Sequence, residues 1–334
     1  MGGSSWSDDH YRDRAAHRVA THAPTFAHDT AVRSGTAATT IHASLDPRKI
    51  KNGVRESRDS DAHPNSKALT VFFDVTGSMG GIPRRLQTEL PKLQALMLRK
   101  NYCVDPQILM GAIGDWNGDK APLQVGQFES GIEMEDNLTN FFLEGGGGGQ
   151  NTESYQNALY FLARKTSTDC FEKRGQKGYA FLLGDEHPYA VSTKREIKEI
   201  FGDDVEADIP LAQLVREAQE KWEIFFIIPK ESSTAASDRR LESHWQEIIG
   251  AEHVILLDKV EAVCEVIGST VGLLEGSVDH AGLVADLKDV GSTDASAKAA
   301  AKAVKSVKAI VPAGHTAGSG LPEKKGRSSK TERL

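Results

Sequence analysis

The sequence predicts an α/β protein with a doubly wound, mostly parallel six-stranded sheet flanked by helices on both faces. Three observations point there. Short apolar runs rich in β-branched and aromatic residues recur from residue 67 onward. Stretches of helical period separate them, and turn residues close each run. A parallel sheet covered on both faces reads this way, because its strands have no wet side to alternate toward.

The elements follow in order. Leu69–Phe73 is the first buried strand, and a glycine-containing loop follows it. A helix is expected from Ile82 to Lys100, with Leu86, Leu90, Leu93, Leu96 and Met97 on one face. Pro83 suits its first turn, whereas Pro91 is expected to kink or divide it. Gln107–Ile113 is the second strand. Pro122–Phe128 alternates apolar and polar residues, as an edge strand does. A helix near 134–143 precedes the glycine run 145–149, and Glu153–Lys165 is helical. Strands at Tyr179–Leu183, Glu223–Ile228 and Val254–Leu257 alternate with helices at Leu211–Trp222, Arg239–Ile249 and Val260–Leu274. No internal repeat is visible.

Both ends differ in composition from this body, residues 67–275. Residues 1–66 are rich in Ser, Thr, Ala, His and Arg, poor in large aliphatics, and predict a poorly ordered or draped arm. Six of the eleven histidines lie there without metal-ligand spacing. Residues 276–334 read as an Ala/Lys/Gly-rich tail with an isolated amphipathic helix within 281–310 and a disordered end. The tail beyond residue 290 carries +6 and the first 66 residues +1; the overall −7 leaves −14 on residues 67–290. An acidic body does not suit a nucleic-acid-binding core. No stretch approaches the roughly 20 apolar residues of a membrane-spanning helix. The opening residues hold no apolar signal segment, and Trp6 stands where a myristoylation signal has Ser or Thr. Cys103, Cys170 and Cys264 form no CxxC pair and read as buried free thiols. The expected address is the cytoplasm.

In open α/β sheets, ligands bind at the carboxyl ends of the strands. The first strand ends in Asp74-Val-Thr76-Gly-Ser78, the fourth in Gly184-Asp185-Glu-His187, and the glycine run leads into Gln150-Asn-Thr152-Glu153. Asp74, Thr76 and Ser78 alternate along a turn, so their oxygens can converge. Carboxylates and hydroxyls are hard ligands that suit Mg²⁺ or Mn²⁺. Two neutral hydroxyls leave such an ion under-neutralised, with room for a carboxylate from another molecule. The competing reading is an ordinary turn and helix cap. Asp115 and Asp119 sit at the same edge as a solvated turn or a rim. His187 reads as a satisfied loop histidine in preference to a base. The glycine run lacks the GK[ST] ending of a phosphate loop.

Asp74-x-Thr76-x-Ser78 after an apolar strand resembles the DxSxS/DxTxS motif of von Willebrand factor A domains, over about residues 67–275. The resemblance implies a Rossmann-like fold and a metal-ion-dependent adhesion site completed by a loop threonine and by an aspartate after the fourth strand. Residue by residue, that gives Asp74, Thr76, Ser78, Thr152 and Asp185 as ligands, with Glu153 and Gln150 as alternatives in the loop. Gly184 stands where many members have Thr. The resemblance implies a non-catalytic module that captures a protein partner's Asp or Glu carboxylate, as a scaffold beside an AAA+ ATPase or within a larger assembly. The alternatives are a metal-dependent hydrolase using His187 or Glu186, and a structural component with a vestigial site.

Overall fold

The computed structural model describes residues 8–131, 133–146 and 151–310. Six strands form the central sheet: β1 (Lys67–Asp74), β2 (Pro106–Ile113), β3 (Leu123–Val125), β4 (Gly178–Leu183), β5 (Trp222–Pro229) and β6 (Val254–Leu257). Their spatial order is β6-β5-β4-β1-β2-β3. All neighbours are parallel except β3, which runs antiparallel along the outer edge of β2. The expected edge strand is therefore at an edge, shortened to three residues.

Strand β1 is buried at all eight positions. Leu69, Val71 and Phe73 belong to one apolar cluster, and Ala68 and Phe72 to another. This is the two-residue period of a strand whose faces are both covered. On the first face lie α3 (Ile82–Gln94) and α9 (Val263–Leu274), through residues such as Leu86, Leu90, Ile267 and Val271. The second face is covered by α5 (Tyr155–Arg164), α7 (Leu211–Lys221) and α8 (Leu241–Ile249), through Leu159, Leu214 and Trp245 among others. The chain is thus a mixed α/β fold around a six-stranded, mostly parallel sheet.

Pro91 neither ends nor divides α3, which runs through it. The ladder loosens four residues later, where Ala95–Arg99 form a π-helical turn and Lys100 N–H donates to Ala95 O at 3.2 Å. Helix α6 (Lys194–Phe201) goes unread in the sequence, although Thr193-Lys-Arg-Glu196 spells its capping box. Glu196 N–H donates to Thr193 Oγ1 at 3.2 Å and Thr193 N–H to Glu196 Oε2 at 3.1 Å. Such caps contribute about 1 kcal/mol.

The N-terminal arm is draped and anchored. Helices α1 (Asp8–Thr21) and α2 (Ala27–Arg33) lead to buried Phe26, Leu45 and Ile50, and full burial of such side chains contributes about 1.5–3 kcal/mol each. Arg18 pairs with buried Glu135, and Arg55–Ser57 pair in parallel with Thr166–Thr168.

The expected isolated tail helix is instead two docked helices, α10 (Leu283–Asp289) and α11 (Asp294–Ala303). Leu283, Leu287, Ala297, Ala300, Val304 and Val307 join the first-face core. Ser292 and Ser296 hydroxyls and Lys92 Nζ all donate to buried Glu265 Oε1, at 2.9, 2.7 and 3.0 Å. The packed unit therefore continues past residue 275, to about residue 310. The end expected to be disordered, 311–334, lies outside the described residues. All three cysteines are buried and free. Among the described residues no helix is long and apolar enough to cross a membrane.

Candidate metal centre

Adjacent parallel strands end at the same edge, so β1 and β4 deliver Asp74 and Asp185 to one place. Phe73 pairs with Leu183, which puts Asp74 one residue and Asp185 two residues beyond the last pair of this ladder. The turn after β1 is organised by Asp74 itself. Its Oδ1 accepts from Thr76 N–H at 2.7 Å and from Thr76 Oγ1 at 2.5 Å, the local pattern by which an aspartate fixes the two residues after it. Thr76 Oγ1 lies 3.4 Å from Ser78 Oγ, which donates to Asp185 Oδ1 at 2.8 Å. Asp74 with Thr76, and Ser78 with Asp185, thus form two hydrogen-bonded pairs whose hydroxyl oxygens meet, joining positions 111 apart in the chain.

In these pairs each hydroxyl spends its proton on a carboxylate. The lone pairs of Thr76 and Ser78 remain for another partner. Asp185 is fully buried, and its Oδ2 has no hydrogen-bond partner. A buried, unsatisfied acceptor costs about 1–3 kcal/mol, and more when charged. Burial raises the Asp74 carboxyl well above the ordinary range, reinforced by the nearby Asp185 charge and opposed by the Thr76 and Tyr155 hydrogen bonds. Burial, then the Asp74 and Asp185 charges, push Glu186 to about 8. Glu153 is raised strongly, first by burial and then by Asp74. Buried like charges with an orphaned oxygen and two free hydroxyl lone pairs fit a hard divalent cation such as Mg²⁺ or Mn²⁺. No group of three or more His, Cys, Asp or Glu side chains among the described residues is arranged to hold a metal. A set of two carboxylates and two hydroxyls is a different kind of donor set.

The fifth expected ligand does not join these four. Thr152 lies on a two-residue strand, Thr152–Glu153, paired in parallel with His187–Pro188. It lines a cavity of about 450 Å³ together with His187 and His244. Its neighbour Glu153 is 1% exposed and is the loop residue that feels the Asp74 charge. Of the two described alternatives, Thr152 and Glu153, the one that feels the charge of the acidic cluster is Glu153. Gln150, and Gly147–Gly149 of the glycine run, lie outside the described residues. Gly145 N–H donates to Val75 O at 3.0 Å and Gly77 N–H donates to Gly146 O, so the root of the run sits directly against the Asp74 turn.

Two residues that sequence reasoning missed hold the site in place. Tyr155 was legible only as an inward-facing helix position, yet its hydroxyl donates to Asp74 Oδ2 at 2.9 Å. Its ring stands edge-on to Phe226 and Trp245, which stack at 3.7 Å. Trp245 Nε1 donates to Glu186 O at 3.0 Å, which steadies the loop carrying Asp185. Tyr155 also accounts for Gly184. A Cβ there would lie 2.0 Å from the Tyr155 hydroxyl oxygen, so no larger residue fits.

Asp115 itself is 2% exposed, while Asn117, Gly118 and Lys120 of the same turn are exposed, so the turn is solvated at its tip and buried at its root. Asp115 N–H donates to Asp119 Oδ2 at 2.8 Å, and Ser154 Oγ donates to Asp115 Oδ1 at 3.3 Å. His187 is satisfied, as expected: Nε2 lies 2.8 Å from Asp238 Oδ2 and Nδ1 lies 2.6 Å from His244 Nδ1.

No protein-family model matches the chain, and no curated protein matches it. Among solved structures it is similar to the pilus adhesin SpaC from Lactobacillus rhamnosus GG in its open conformation, at 11% identity and a TM-score of 0.46 over 65% of this chain. It is also similar to proximal thread matrix protein 1 from the mussel byssus, at 12% identity and a TM-score of 0.40 over 63% of this chain. The chain spans 31% of the length of the adhesin and 46% of that of the matrix protein.

Proposed function

We propose that the chain is a divalent-cation-dependent protein-interaction module of the von Willebrand factor A type, with a doubly wound sheet and no catalytic role. The observation that carries this reading is the buried Asp185, bonded through Oδ1 to Ser78 and left without a partner at Oδ2. Thr76, Ser78, Asp74 and Asp185 would hold Mg²⁺ or Mn²⁺, with Glu153 as the loop carboxylate beside them. The ion would supply a positive centre for a partner's Asp or Glu carboxylate. The chain's own residues orient two hydroxyl lone pairs, exclude bulk water from Asp74, and keep the two aspartates apart through separate hydroxyl donors. A protein partner in an assembly or with an AAA+ ATPase follows from the family resemblance. His187 turns Nε2 to Asp238 and Nδ1 to His244 and neither to the Asp74–Asp185 cluster, which favours the binding module over a hydrolase using His187 as base at that cluster.

Calorimetric titration of the full chain with Mg²⁺, and capture of partners from a lysate with Mg²⁺ or EDTA, test this reading. One ion bound by the wild type and none by Asp185→Ala is expected, with a set of captured proteins lost in EDTA and in that variant. Capture that persists equally in EDTA would leave only a structural component with a vestigial site.

A further inference from the structure

We infer that His187 and His244 form a second cation site, for a nitrogen-preferring transition metal such as Zn²⁺, Co²⁺ or Ni²⁺, separate from the oxygen-lined centre. The inference starts from Asp238. Its Oδ1 accepts from Arg240 N–H at 2.8 Å, and its own N–H donates to Thr234 O at 2.9 Å, so the carboxylate is fixed. Its Oδ2 faces His187 Nε2 at 2.8 Å. An ionised carboxylate only accepts, so Nε2 donates to it, and Nδ1 is the ring nitrogen left to face the cavity.

His187 Nδ1 lies 2.6 Å from His244 Nδ1, with the rings 4.8 Å apart and tilted by 42°. Two imidazole nitrogens placed this way share either a proton or a metal ion. A carboxylate on the far nitrogen is the arrangement that fixes the tautomer and orientation of metal-binding histidines. Zinc–nitrogen bonds of about 2.0–2.1 Å at a tetrahedral angle would set the two nitrogens about 3.3 Å apart. The rings need move by less than about 1 Å to reach that spacing. The cavity of about 450 Å³ in front of them, walled by Thr152, Pro188, Ser243 and the oppositely charged Arg240 and Glu247, has room for water on the remaining positions. No third His, Cys, Asp or Glu among the described residues completes the set. The site is therefore open, and imidazole donors select Zn²⁺, Co²⁺ or Ni²⁺ over Mg²⁺.

The test is titration of the untagged full chain with Co²⁺ and Zn²⁺ in excess Mg²⁺, followed by calorimetry and by Co²⁺ absorption. One equivalent is expected in the wild type. His244→Gln and His187→Gln should each weaken it at least tenfold. Asp238→Asn should weaken it about 10–100-fold through loss of ligand orientation, with an unchanged near-ultraviolet circular dichroism spectrum. Asp74→Asn should leave it intact. Absence of a bound equivalent, equal binding in His244→Gln, or no change in Asp238→Asn would overturn the site. Loss in Asp74→Asn would also overturn it, by placing the ion at the oxygen centre.

Discussion

In the cation-free protein, Asp74→Asn is expected to raise stability at pH 8 by about 1–3 kcal/mol and to abolish stabilisation by Mg²⁺. Asparagine keeps the shape of the side chain. Its carbonyl can accept the two bonds from Thr76, and its amide can donate to the Tyr155 hydroxyl, so all three contacts of Asp74 have counterparts. What disappears is a buried negative charge beside Asp185. The direction with pH follows from the raised carboxyls. Folded-state values above the unfolded ones mean that the Asp74 and Glu186 contributions are fully present below pH 4 or so and are lost as pH rises through the folded values, about 8 for Glu186. Wild type in EDTA therefore loses stability between about pH 4 and 8, and Asp74→Asn loses less. Urea unfolding at pH 5 and pH 8, with EDTA and with Mg²⁺, measures both effects. Equal destabilisation of the variant at the two pH values would mean that the folded chain already neutralises Asp74 without an ion.

Gly184→Ala is expected to destabilise the fold by about 3 kcal/mol or more, which is at the upper end for overpacking. The added carbon would lie 2.0 Å from the Tyr155 hydroxyl oxygen and 2.6 Å from Cζ. Tyr155 cannot retreat easily, because Phe226 and Trp245 hold its ring and Asp74 holds its hydroxyl. In a Tyr155→Phe background the same alanine should cost less, since the nearest atom is gone. A double-mutant cycle by urea unfolding reads this coupling. Additive effects would mean that the backbone at Gly184 relaxes away from the ring.

The sheet was legible because five of its strands are buried on both faces and so appear as unbroken apolar runs. The Asp74–Ser78 turn was legible because its geometry is local. Asp185 could be placed because it follows a strong strand. Which loop side chain faces the acidic cluster was not legible, for a reason of register. Thr152 and Glu153 are successive residues of a short strand, so their side chains leave on opposite faces, and a one-residue slip exchanges them. Nothing in the spacing of a glycine run sets that register. Tyr155 looked like any apolar-face residue, since a hydroxyl on a buried ring leaves no mark on helical periodicity. The docked tail was hidden by its composition. Ala297 and Ala300 let α11 approach the core closely, yet alanine-rich helices with lysines read equally well as solvated ones. Helix α6 is only eight residues long, and its capping box was its one clear sign.

Because β1 and β4 are neighbours in space while Ser78 and Asp185 are 107 positions apart in sequence, the pocket for the ion has no local precursor. It exists only once two distant segments have paired. An ion held there is expected to slow unfolding more than it speeds folding, which refolding and unfolding rates with Mg²⁺ and with EDTA would read.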